Sequence, residues 1–192
     1  MRILVINGHP DPAGGHLDHA LADAYASGAE GAGHAVTRID VARLDIPTLR
    51  SKQDFEQSDP PPDIEAAQSA LEAAEHLVLI YPLWLGTMPG QLKLFLEQVL
   101  RPGFAFRYRD KGLPEKRLKG RSARVVVTMG MPALAYRWFY CAHSLRSLTR
   151  NILNFVGIKP VRWTLLGGVE AMGDKAHARW LAHLRDLGAR GR

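Results

Sequence analysis

At 192 residues, 46% hydrophobic and 23% charged, the chain has the size and composition of one globular domain rather than of a disordered or fibrous protein. The net charge of +6 would suit polyanions, but the cations gather in Arg107–Arg124 and in the tail without heptads, an RRM signature or a zinc-finger pattern, so no nucleic-acid partner is expected. A lone cysteine, Cys141, excludes an intramolecular disulfide, the apolar stretch at the N-terminus is too short for a signal peptide, and no apolar run reaches the roughly 20 residues that span a bilayer. The expectation is a cytoplasmic single domain over residues 1–192 with no integral membrane segment.

Arg2–Asn7, RILVIN, is a β-branched run that ends at Gly8 and predicts a strand buried on both faces. The loop that follows, GHPDPAGGH, has neither the G-x-G-x-x-G spacing of a dinucleotide fold nor the glycines and lysine of a P-loop. Leu17–Ala32 repeats alanine and leucine at helical spacing until Gly31 and Gly33 stop it, and His34–Val41 predicts the second strand. A polar stretch runs through Ser58–Asp63, SDPPPD, which has too many prolines for regular structure. Helices are expected in Ile64–Glu75, Gln91–Leu100, Leu145–Gly157 and Asp174–Gly188, and strands in His76–Pro82, Ala123–Gly130 and Lys159–Gly167. This alternation of continuous apolar strands with helices predicts a parallel sheet covered on both faces.

In such a sheet, ligands bind beyond the carboxyl ends of the strands, where strand order reverses. That directs attention to Asn7–His16, Pro82–Pro89 and Thr128–Tyr136. The first loop leads into a helix N-terminus, which favours an anion such as a phosphate, and Asp18 is placed to cap that helix. The other two carry Trp84, Leu85, Met88, Met129, Met131, Tyr136 and, just beyond, Trp138, an apolar and aromatic mouth. A planar ring with a phosphorylated tail fits both, and a flavin is the natural candidate. His9, His16 and His19 cluster, but no metal is expected, because their spacing is not H-E-x-x-H and no cysteine or carboxylate set completes a shell. Asn7, Gly8 and His9 with Tyr81 and Pro82 at the strand ends also exclude the acidic pocket of a phosphoacceptor receiver domain.

Four segments in order, INGHP (Ile6–Pro10), YPLWLGTMPGQLKLFLEQVL (Tyr81–Leu100), PGFAFRYRDKG (Pro102–Gly112) and VVVTMGMPALAY (Val125–Tyr136), resemble the flavodoxin-like NAD(P)H:quinone oxidoreductase family. That family includes quinone reductases, drug-modulator reductases and the ancillary reductases of potassium-efflux systems. The resemblance implies an α/β fold, a doubly wound five-stranded parallel sheet in the order 2-1-3-4-5, and a homodimer with a flavin at each intersubunit site. It also implies ping-pong hydride transfer from NADH or NADPH to flavin N5 and then to a small quinone-like acceptor. FAD is expected, with FMN the alternative. A regulatory or ancillary subunit of a membrane transport system is the alternative function.

Carried over residue by residue, the resemblance puts His9, His16, Leu17 and Asp18 on the flavin phosphates. Pro82, Leu83, Trp84, Leu85 and Gly86 would line the ring edge near N5, and Thr128, Met129, Gly130 and Met131 its pyrimidine side. Tyr136, reaching O2, and His143 are the catalytic candidates, as donors toward the negative charge that develops there on reduction. Trp84, Phe106 and Tyr108 are the substrate-binding candidates, the last two capping the neighbouring subunit's site. Two departures stand out: His143 lies about one residue later than the family's histidine, and His16, Leu17 and Asp18 stand where relatives commonly carry a hydroxyl residue, an aromatic and an asparagine.

Overall fold

In a computed structural model describing Met1–Arg192, the apolar runs become β1 (Arg2–Asn7), β2 (Ala35–Asp40), β3 (His76–Pro82), β6 (Ser122–Met129) and β7 (Val161–Gly167). They pair in parallel in the order β2-β1-β3-β6-β7, with Ile3 of β1 opposite both Val36 of β2 and His76 of β3. Counted among themselves, these strands have the expected 2-1-3-4-5 winding. The two numbers skipped belong to β4 (Phe106–Arg107) and β5 (Glu115–Lys116), a separate antiparallel hairpin.

The helices are α1 (Leu17–Gly31), α2 (Lys52–Gln57), α3 (Pro62–Ala73), α4 (Gly90–Val99), α5 (Ala133–Trp138), α6 (His143–Arg146), α7 (Asn154–Val156) and α8 (Asp174–Ala189), with a π-helical stretch, Ser147–Leu153, joining α6 to α7. No helix is long and apolar enough to cross a membrane.

Strand alternation divides the core in two. Ile3, Val5, Val78, Ile80 and Val126 meet Leu21 and Tyr25 of α1 and Leu184 and Leu187 of α8. Leu4, Ile6, Leu79, Tyr81, Val125 and Val127 meet Ile64 and Leu71 of α3, Leu92 and Phe95 of α4, and Leu148 in the π-helical stretch. Each such side chain, fully buried, contributes about 1.5–3 kcal/mol. On the first face the helices touch through backbone: a Cβ on Gly28 would lie 2.0 Å from the Arg185 carbonyl oxygen, and one on Gly188 2.1 Å from that of Tyr25.

The proline-rich stretch is more regular than expected. Pro61 caps α3 and Pro62 opens it, because proline's missing N–H and fixed φ suit the first turn. Just before it, Ser51 and Asp54 form a reciprocal capping box that starts α2.

Candidate functional site

At the carboxyl end of the sheet, β1 gives way to a loop held by its own side chains. The Asn7 Oδ1 accepts from the His9 N–H at 3.1 Å, the His9 Nδ1 accepts from the Asp11 N–H at 3.1 Å, and the Asp11 Oδ1 accepts from the Ala13 N–H at 2.9 Å. A ring nitrogen that accepts an N–H is unprotonated, so neutral His9 carries its proton on Nε2 as a donor. Its ring stacks on His16 at 4.0 Å and lies 5.3 Å from His19. His16 bonds through Nε2 to the Asp11 Oδ2 at 2.7 Å, while both ring nitrogens of His19 are shut from solvent without a partner. Burial, then the neighbouring His16 and His19, push the His9 pKa down to about 4.

The N-cap of α1 is His16, not Asp18. Leu17 and Asp18 open the helix, so their N–H groups have no intrahelical acceptor and are available to an anion. The Asp18 side chain turns inward instead: it is 3% exposed and accepts from the Thr128 hydroxyl of β6 at 2.9 and 3.1 Å. Burial pushes its pKa up to about 6, against the lowering effect of the Thr128 bond. The carboxyl thus ties α1 to the sheet.

After β3, the Leu83 N–H extends the ladder to the Thr128 carbonyl at 2.8 Å. Trp84 and Thr87 then exchange backbone hydrogen bonds at 2.8 and 2.9 Å around Leu85 and Gly86, whose φ angles are 45° and 77°. Two positive φ values are the signature of primed hairpin turns and strain a leucine. The turn holds Leu85 wholly in solvent and Trp84 half exposed, with its ring 6.3 Å from that of His9. Beside it opens a cavity of about 440 Å³ lined by Trp84, Met88, Lys93, Ser144, Ser147 and Ile152 among others.

At the end of β6, Thr128 and Met129 are buried, Gly130 is exposed against Glu170, and Met131 packs on the core. Tyr136 is 2% exposed; its hydroxyl accepts from the Leu145 N–H at 3.1 Å and shares a 2.7 Å hydrogen bond with the Ser144 hydroxyl. Between this phenol and the cavity stands Ser144, which sequence reasoning missed; it lies eight residues away on a separate helix, where no periodicity could pair the two. His143 is exposed at the start of α6, behind Cys141 and Ala142, both at positive φ.

Phe106 and Tyr108 have separate positions. Phe106 is buried in the core between Phe155 at 4.9 Å and Tyr108 at 5.2 Å, while Tyr108 is exposed. Both line a second cavity of about 240 Å³ with Phe55, Leu96, Leu100 and Phe155, which shares Lys93 and Ile152 with the first. No group of three or more His, Cys, Asp or Glu side chains is arranged to hold a metal ion.

A Bordetella avium protein named FMN-dependent NADH:quinone oxidoreductase is 33% identical over 121 residues, 63% of this chain and 57% of that relative, so the match spans just over half of the relative's length. A Haemophilus influenzae protein named an uncharacterized NAD(P)H oxidoreductase is 27% identical over 180 residues, 92% of this chain and 88% of that one. An NAD(P)H:quinone oxidoreductase from Methanothermobacter marburgensis shares the fold with a TM-score of 0.83 at 24% identity, covering 98% of both chains. The first relative is named for FMN and a quinone and the second for NAD(P)H, while the solved structure shows the shared fold. FMN is the flavin named, so the expectation of FAD as primary cofactor is not supported. A family model described as flavodoxin-like fold matches residues 1–190, and the chain belongs to that family.

Proposed function

We propose that this chain is an FMN-dependent NAD(P)H:quinone oxidoreductase, working in the cytoplasm as a homodimer and passing hydride in two half-reactions. One observation carries the reading: the polar β1–α1 loop and the aromatic β3–α4 turn meet, with His9 and Trp84 6.3 Å apart at one end of the sheet. The residues fit the mononucleotide, which ends at its phosphate and asks for nothing beyond the α1 N-terminus. Bound there, FMN supplies the hydride chemistry; the protein's share is binding and electrostatics.

The N–H groups of Leu17 and Asp18, with the rings of His9 and His16, hold the phosphate. Pro82, Leu83, Trp84, Leu85 and Gly86 hold one ring edge, and Thr128, Met129, Gly130 and Met131 the other. Tyr136 acts through Ser144, whose hydroxyl it bonds and which borders the cavity. His143, exposed at the helix start, is the second donor. Trp84 and Tyr108 contact the acceptor, and Phe106 backs Tyr108. The apolar cavity at Phe106 and Tyr108 supports the homodimer, since a second copy would cover it.

The test is reconstitution of the purified protein with FMN, followed by NADH and NADPH oxidation with menadione and by sedimentation. A yellow dimer that oxidises either nucleotide rapidly with menadione is expected. Full FMN content without turnover would indicate the ancillary subunit instead, and a protein that takes up no flavin would overturn both readings.

A further inference from the structure

The loop where a phosphate monoester would enter collects imidazoles, yet the fixed charges around them are acidic. His9, His16 and His19 lie 4.0 to 5.8 Å from one another. Asp11, on the same loop, is bonded to His16. The groups whose charge acts on His9 are His16, His19, Asp11 and Asp40, and on Asp18 it is His16. Arg43, in the turn after β2, reaches the loop at the Pro12 carbonyl but is paired with Asp40 at 3.2 Å. Trp84 and Thr128, which approach from β3 and β6, are uncharged. A dianion arriving here therefore meets three acids and one guanidinium already engaged.

Imidazoles this close cannot all be protonated unaided, because each positive ring disfavours the next. A phosphate against the first turn of α1 removes that repulsion. It also supplies an acceptor for the His9 Nε2, while the ring of His19, whose nitrogens are buried without partners, lies 5.3 Å from His9 and 5.8 Å from His16. Anion and proton then stabilise each other in one place.

We propose that the histidine cluster is a proton-coupled phosphate site: binding of the FMN phosphate draws a proton from solvent onto the rings. This rests on the reading that the ligand is FMN. The consequence is an affinity for FMN, though not for riboflavin, that falls as pH rises above neutrality.

Calorimetric titration of FMN into the apoprotein at pH 7.5, in buffers of different ionisation enthalpy, reads the proton directly. The phosphate is already a dianion there, since its second pKa is about 6. Uptake approaching about one proton per FMN is expected, none with riboflavin, and a Kd for FMN that rises up to about tenfold per pH unit. The double variant His16→Ser, His19→Gln is expected to bind riboflavin normally and to lose the uptake; Asp18→Asn is expected to retain it. Full FMN binding without proton uptake overturns the inference and leaves the flavin reading intact. Uptake lost in Asp18→Asn but kept in the histidine variant also overturns it, by assigning the proton to the buried carboxyl. A protein that binds neither FMN nor riboflavin overturns the flavin reading and this inference with it.

Discussion

On the α1/α8 face of the sheet, backbone lies against backbone at Gly28 and Gly188, with no space for a methyl group; on the opposite face the same strands look onto an interrupted helix and two neighbouring cavities. The close face seats the N-terminus of α1, so the open N–H groups of Leu17 and Asp18 sit on a helix held backbone to backbone against α8, with His9 in the loop that leads into it. The open face carries the Trp84 turn and the Tyr136–Ser144 pair beside the cavity of about 440 Å³. The two faces thus differ in tightness, although the loops that leave them converge at one end of the sheet, where His9 and Trp84 lie 6.3 Å apart.

The largest test breaks the close face. Gly28→Ala puts a Cβ 2.0 Å from the Arg185 oxygen, which cannot move without shifting α8. Thermal unfolding should show a loss of about 3 kcal/mol or more, a Tm lower by at least about 6 °C. A loss under about 1 kcal/mol would mean that the two helices slide apart freely, and the contrast between the faces would fail.

The second test uses the rim of that face. The Asp18 carboxyl titrates near 6 in the folded chain against an ordinary 3.8, so between about pH 4 and 6 the native state binds more protons than the unfolded one. Its contribution to stability therefore falls as pH rises through that window, by about 3 kcal/mol for about two units. His9 and His76, depressed from 6.5 to about 4, act in the opposite sense: their native forms bind fewer protons there, so stability rises with pH. Asp18→Asn should leave only the rising component, making urea midpoints climb more steeply from pH 4 to 6 than in the parent. Superimposable profiles would show that Asp18 titrates as an exposed acid.

The smallest effects belong to the open face. Tyr136→Phe leaves the buried Leu145 N–H without an acceptor and should cost about 2 kcal/mol, with turnover lower by about tenfold. Ser144→Ala should cost about 1 kcal/mol or less, because the phenol still accepts from Leu145, while lowering turnover comparably. Unchanged menadione reductase turnover in both variants, at normal flavin content, would remove this hydroxyl pair from the reaction.

The central strands were legible because parallel strands buried on both faces must be continuous apolar runs, and RILVIN and HLVLIYP are, whereas the order of winding came from the family resemblance. The short α5, ALAYRW, was not, since its exposed Leu134 and Trp138 give it no apolar stripe to read. At the site, the loops were legible from strand ends but side-chain direction was not. Asp18 is the instructive case. It stands three, four and seven residues before the buried Leu21, Ala22 and Tyr25, on the stripe that faces the sheet. A carboxylate read as a cap was in register with the core, and its polarity hid the periodicity. The capping prolines of α3 were misjudged for a related reason: proline breaks a helix interior but opens its first turn.

The π-helical stretch Ser147–Leu153 has a consequence for how this chain can diverge. A π-turn closes on i→i+5 hydrogen bonds and so absorbs one residue more than an α-turn, the footprint that a single inserted residue leaves in a helix. Excising Thr149 would let the segment relax to α-geometry and swing His143 and Ser144 by about 100° around the axis relative to α7. One codon gained or lost there changes which side chain meets the cavity beside Trp84 while Leu153 and Val156 keep their places, but it turns Leu145 and Leu148 out of the core by the same angle, so such a change has to be matched by repacking on that face.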